Sequence, residues 1–387
     1  MRLPRQSTTL TLDKCNAVSY LLPNNKEGLP MFFRRSKIRT AASVTLLCAS
    51  VFFGWLHSAN AEETDQFTLP PTALVDVGPL VSQRVYGAIE KALKQTNDEI
   101  QDLIKKAVLS PADKNMASEL TKRRSDAYIM NLVYKQTGTG LPEATYERWL
   151  NWDSFPDIFQ PMRFNEIRPW ATIYWGVFSQ APLALTILSP TINMYGHYFG
   201  TDKIGHFFQQ GEGYYSIYMK VLAQGKSVEQ AHQAIVAHGQ FEEHGIFGTA
   251  LDGVYSNGDL SANYGGWKFY MNLAHSVRIG SQELLPLLIL HNDRWEFARN
   301  VKKDDLLKPF INDNLNEAWN PCRYSFEKSL IRKHVEARCK EWIDRLGINK
   351  ESVAAKLQET SLWEGEDYGH WLPQSDTITL ETCFGGL

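Results

Sequence analysis

Three pairs of polar side chains, each pair four residues apart, constrain this chain more than any other feature of it. Between His197 and Tyr270 the sequence reads HYFGTDKIGHFFQQGEGYY, then HGQFEEHG, then SNGDLSANYGGWKFY. Asp202 with His206, His238 with Glu242, and Asp259 with Asn263 each fall on one face of a helix. Such faces, set among Phe, Tyr and Trp, predict a polar site assembled between helices. The expected fold is therefore mainly α, a helical bundle with irregular Trp/Gly-rich loops. No sustained period-two alternation and no run of hairpin turns is evident.

The N-terminal residues bear on where such a site operates. Met31 opens MFFRRSKIR, followed by an apolar run from Ala41 to Leu56 and then Ala59-Asn60-Ala61. A basic region, an apolar region and an A-x-A end predict a secretory signal over 31–61, cleaved after Ala61. Residues 1–30 read as a non-native N-terminal extension ahead of the true start at Met31. Cys48 follows Leu47 inside the apolar run, where a lipoprotein signal needs a small residue, so no lipid attachment is expected there. Charge is nearly balanced, 40 basic against 43 acidic residues, with no dense basic block, so nucleic acid is not an expected partner. Three cysteines follow the signal: Cys322, Cys339 and Cys383. An oxidising compartment permits one disulfide, and Cys322 with Cys339 is the expected pair.

After the signal, three regions are expected: an N-terminal helical region over 62–165, a central helical core carrying the polar site over 166–300, and a C-terminal helical region with an irregular tail over 301–387. Val81, Val85, Ile89, Leu93, Ile100 and Ile104 recur at helical spacing. Ser110 and Pro111 predict a start for a second helix reaching about Tyr134. Thr201 caps a helix from Asp202, Ser227 with Gln230 forms a capping box, Gly245 ends that helix, and Ser256 or Asn257 caps a third. Charged helical segments are expected from Asp304 to Glu359, and the tail as a lid or strap. Residues 169–201 contain no Asp, Glu, Lys or Arg. That is long enough to span a bilayer, but Pro182, Ser189, Pro190 and Asn193 interrupt it, so a hairpin at a membrane surface suits it better.

The polar faces offer two chemistries. His and carboxylates converging within a helical bundle are the ingredients of a divalent metal site (zinc, manganese or iron), with His206, His238 and Glu242 as ligands and Asp202 or Asp259 behind them. They also suit metal-free acid/base work, Asp202 fixing the His206 tautomer and Glu242 or Glu243 acting as general base. Asp259 and Asn263 complete the candidate catalytic set of Asp202, His206, Glu242, Glu243, Asp259 and Asn263. Each has a plainer role to set beside this: Asp202 and Asp259 are first-turn carboxylates favoured by the helix dipole, Glu243 and His244 sit at a helix end facing solvent, and Lys203 is a solvated neighbour. Asn263 has no capping role and poor helix propensity, which favours a polar contact. Gly205, Gly211 and Gly213 in one helix each cost about 1 kcal/mol relative to alanine, which close helix approach or ligand access would offset.

The order D-K-x-x-H-F (Asp202, Lys203, His206, Phe207), an acidic helix end (Glu242 or Glu243), then S-x-x-D-L-x-A-N-x-x-G (Ser256, Asp259, Leu260, Ala262, Asn263, Gly266) resembles VanZ-like proteins and YfiM-like periplasmic lipoproteins. The resemblance covers this central segment only. It implies a helical, envelope-located protein with this polar set at its centre, and no established reaction. The chain departs from the compact multi-span layout of the first group and from the lipid-attachment cysteine of the second.

Together these features predict an exported, periplasmic or outer-envelope protein, peripheral to a membrane, of a Gram-negative-type bacterium. The expected activity is hydrolysis of an envelope lipid or glycan through the His/carboxylate site. The alternative is a non-catalytic envelope interaction protein whose buried polar cluster fixes helix packing.

Overall fold

A computed structural model describes residues 64–109, 114–139, 144–152, 162–164, 169–175, 188–245, 254–324, 328–370 and 377–385. The expected extension 1–30 and signal 31–61 lie outside the described residues. All described residues belong to one compact unit, 52–387. The protein is mainly helical. Nine helices are described: α1 (Gly78–Leu109), α2 (Lys114–Arg123), α3 (Asp126–Thr137), α4 (Thr145–Trp152), α5 (Asp202–Ala223), α6 (Val228–His244), α7 (Asn257–Asn272), α8 (Lys328–Leu346) and α9 (Lys350–Thr360).

Several boundaries follow from local chemistry. The Ser227–Gln230 capping box forms in full, and Gly245 ends α6. Ser256 accepts the Asp259 N–H at 3.1 Å and so caps α7. Thr201 precedes α5 but does not cap it with its side chain; its hydroxyl donates to Asn151 Oδ1 at 2.5 Å. The single helix expected to reach Tyr134 is two helices, because Ser125 between α2 and α3 takes an extended conformation.

Four small sheets accompany the helices, a departure from the expected absence of hairpins. Strands β1 (Arg163–Phe164), β2 (Thr191–Met194) and β3 (His197–Gly200) form one antiparallel sheet. Thus the described end of the uncharged stretch is a β-hairpin leading directly into α5; residues 176–187 of that stretch lie outside the described residues. Strand β4 (Val254–Ser256) pairs later in the chain with β9 (Cys322–Tyr324), and β9 with β10 (Thr377–Ile378). Two hairpins, β5 (Val277–Ile279) with β6 (Gln282–Leu284) and β7 (Leu288–His291) with β8 (Arg294–Phe297), follow α7. The second turns on Asn292 and Asp293, both at positive φ, as a tight two-residue turn requires. Between Lys303 and Leu315 the chain makes short 3₁₀ turns instead of the expected charged helices.

The larger hydrophobic core joins α1, α3, α5 and α7, with Val81, Val85, Ile89, Phe207, Phe208, Tyr264 and Phe269 at its centre. Where α5 crosses α7, Gly211 and Gly266 face each other: a Cβ on Gly266 would meet the Phe207 carbonyl oxygen at 1.9 Å, and one on Gly211 would lie 2.6 Å from the Gly266 Cα. That backbone contact sets the spacing of the two helices that carry the polar pairs. Gly213 has no comparable neighbour. A second core joins Phe67, in the leader of residues 64–77 that precedes α1, to β9 and α8. There Cys339 bonds to Cys383, not to Cys322, which stays reduced and buried within β9. The 3₁₀ turn carrying Cys383 packs on α8, whereas Cys322 is held in the middle strand of its sheet.

A candidate polar active centre

Lys203 is completely buried on the first turn of α5, at 0% exposure, where a solvated neighbour was expected. An ammonium there requires negative partners. Its Nζ lies 2.5 Å from Asp202 Oδ2, 2.5 Å from Asp259 Oδ1 and 2.6 Å from Glu317 Oε1. Two of these carboxylates have a second anchor. The Thr64 hydroxyl donates to Asp202 Oδ1 at 2.9 Å, and the Ser256 hydroxyl donates to Glu317 Oε1 at 2.8 Å. The leader thus reaches the centre, and the Gln66 side chain accepts the Glu317 N–H at 2.8 Å.

The α7 and α6 helices add an outer edge to this base. His206, one turn after Lys203 on α5, places Nε2 at 3.5 Å from Asp259 Oδ2 and Nδ1 at 3.1 Å from Asn263 Oδ1. Its side chain is 18% exposed, which opens the centre to solvent. Glu243 comes in from the end of α6 and accepts the Ser256 N–H at 3.2 Å. Polar atoms of His206, Glu243 and Asp259 lie within 4.8 Å of one another, as do those of Asp202, Asp259 and Glu317.

Glu243 was expected to face solvent but is only 2% exposed. The buried stripe of α6 runs Ala231, Ile235, Gly239, Glu243, one residue out of phase with the expected pair His238 and Glu242. His238 and Glu242 therefore pair with each other, Nε2 to Oε1 at 3.2 Å, beside the ring of Tyr214. Among the described residues they join neither carboxylate group, so the expected His206, His238 and Glu242 ligand set is not assembled. His197 pairs with Asp313 at 2.5 Å. His244 is exposed against Tyr255.

The electrostatics divide the carboxyls. Burial favours protonating Asp259, but His206 and Lys203 outweigh it and hold that carboxyl below its ordinary value. Burial, followed by the Asp259 charge, pushes Glu243 well above the usual carboxylate range. Burial likewise raises Glu317, with Lys203 opposing it. The hydrogen bond that His238 donates to Glu242 raises His238.

Of the residues expected from sequence, Asp202, His206, Glu243, Asp259 and Asn263 come together. Glu317 and Thr64 were missed. Glu317 has no helical periodicity around it; its one sequence signal is the amide-rich run NDNLNEAWNP. The chain matches no family model, no curated protein and no solved structure.

Proposed function

We propose that this centre hydrolyses an amphiphilic envelope lipid or glycan, in an exported protein that works at a membrane surface. One observation carries the reading: His206, Asp259 and Glu243 meet at a partly exposed edge, fixed from behind by a buried lysine. Hydrolysis needs one group to take a proton from water and another to protonate the leaving group. Two carboxyls pushed in opposite directions within one site provide that division of labour. Ionised Asp259 orients His206 to accept the proton, while Asn263 fixes the ring from its other nitrogen. Protonated Glu243 supplies the acid.

Support for an amphiphilic substrate comes from the uncharged stretch that leads into α5. At its start Trp170 and Trp175 are exposed, packed edge to face with centroids 6.4 Å apart. Exposed indoles suit the headgroup level of a bilayer. Among the described residues no helix is long and apolar enough to cross a membrane. Of the residues that carry the VanZ-like and YfiM-like resemblance, the polar ones, Asp202, Lys203, His206, Ser256, Asp259 and Asn263, lie in this centre; the envelope assignment rests on that resemblance. The alternative, a purely structural polar cluster, is favoured by the depth of Lys203. It does not account for a partly exposed His206 at the rim.

The test is incubation of the purified protein with phospholipid, lipopolysaccharide and glycan fractions of a bacterial envelope, followed by mass spectrometry. Products that differ from a substrate by one added water are expected. Folded protein that releases none from any fraction sinks the reading.

A further inference from the structure

With all four carboxyls ionised, charge in the centre would not balance. Asp202, Asp259, Glu317 and Glu243 gather around the single ammonium of Lys203, with His206 the other basic group. Buried charge without compensation is expensive. Lys203 already fills the Asp202–Asp259–Glu317 group. The remaining place for positive charge is the edge formed by His206, Asp259 and Glu243.

The geometry points to a divalent transition-metal site there, with His206 Nε2, Asp259 Oδ2 and a Glu243 carboxylate oxygen as ligands. Three observations agree. First, His206 Nε2 and Asp259 Oδ2 are 3.5 Å apart. That is long for a hydrogen bond but matches the edge of a tetrahedral zinc site, about 3.4 Å from its bond lengths. Second, His206 Nδ1 lies 3.1 Å from Asn263 Oδ1, the partner that a metal-bound imidazole ordinarily requires on its other nitrogen. Asn263, which has no helix-capping role, thereby acquires one in orienting the ring. Third, the fully buried Tyr214 hydroxyl lies beside Asn263, Glu242 and Glu243 without a well-formed hydrogen bond. Such a buried hydroxyl calls for an explanation, and a water carried by an ion at this edge would supply one. The carboxylates are also held from outside the edge, Asp259 by Lys203 and Glu243 by the Ser256 N–H. One imidazole and two carboxylates suit zinc, manganese or iron. When bound, the ion would supply an acidified water.

This inference rests on the hydrolytic reading and alters two parts of it: His206 Nε2 holds the cation instead of accepting the proton, and Glu243, ionised as a ligand, no longer supplies the acid. The test uses the full chain, stripped with chelator and titrated with zinc chloride, then with manganese chloride. Bound metal is measured by calorimetry and elemental analysis. One ion per chain is expected, with a rise in melting temperature. His206→Gln and Glu243→Gln should each lose at least about tenfold in affinity, and Asn263→Ala about 10–100-fold. His238→Ala should bind as the parent does. Since Glu243 is buried, its variant could fail to fold; His206→Gln, at the exposed rim, then carries the same comparison. No saturable binding, or binding unchanged in His206→Gln, overturns the site. Hydrolysis by a protein that binds neither ion would overturn the metal alone. Saturable binding without hydrolysis of any envelope fraction supports the metal and sinks only the hydrolytic reading.

Discussion

Lys203 holds three carboxylates that would otherwise repel one another in a dry interior. Removing one partner of a buried ionic group typically costs about 3–5 kcal/mol, because uncompensated charge stays behind. Lys203→Met, which keeps much of the volume, should therefore lower unfolding free energy by about that amount in urea titration. A loss under about 1 kcal/mol would mean that the carboxylates take up protons at little cost. Most residues of the centre were legible in the sequence, since i, i+4 spacing placed Asp202 with His206 and Asp259 with Asn263. Lys203 and Glu243 were misplaced for a specific reason. A helical face fixes which residues align, but not which face is buried, and α6 is turned by one residue from the expected phase. Glu317 could not be assigned, since long-range pairing from a 3₁₀ segment leaves no periodic trace.

At the scale of elements, the α5–α7 crossing positions both halves of the centre. Gly266→Ala would force Phe207 and the α5 backbone away and should destabilise by about 1–3 kcal/mol or more. Gly213→Ala has no such neighbour and should stabilise by up to about 1 kcal/mol through helix propensity. Thermal melts of the two variants should therefore move in opposite directions; shifts of the same sign would contradict the crossing geometry. A second junction ties β3 to α9, where Asp313 meets His197 and Lys356, each at 2.5 Å. Burial acts to raise Asp313, but the hydrogen bonds from His197 and Lys356 outweigh it and hold it at about 2, against an ordinary 3.8. A depressed carboxyl stabilises the fold above its unfolded pKa, and that contribution disappears as pH falls through the folded value. Lys356→Met should thus be less stable than the parent at pH 5, with the gap narrowing toward pH 2. A gap independent of pH would contradict the pairing. Ser227 with Gln230, Gly245 and Ser256 were predicted correctly as helix ends, because they act through their immediate neighbours, whereas Thr201 turned to Asn151 instead of capping α5. The short strands were not predicted: β1–β2, β4–β9 and β9–β10 pair across long stretches of chain, and the local hairpins β2–β3, β5–β6 and β7–β8 are too short to show sustained alternation.

Across the whole molecule, the leader, the central helices and the segment carrying Glu317 converge on one centre. The Cys339–Cys383 bond closes a separation of 44 residues near the C-terminus. By loop entropy such a link contributes up to about 4 kcal/mol, so Cys383→Ser should lower the melting temperature, whereas Cys322→Ser should not reproduce the effect of reduction. An equal response to both would contradict the pairing. The sequence could not rank three cysteines, because the choice depends on which segments pack together. The mainly helical class, by contrast, was plain from the apolar spacing of α1 alone.

The central claim is that the edge of His206, Asp259 and Glu243 performs chemistry and is not merely packing. Its most direct test is a paired measurement on His206→Ala: thermal midpoint, and turnover of the envelope fraction that the parent hydrolyses. Because His206 lies at the rim, the midpoint should stay within a few degrees of the parent, as for a change of about 1 kcal/mol or less, while turnover falls at least a hundredfold. A variant that keeps its turnover, or one that loses turnover only by unfolding, would contradict it.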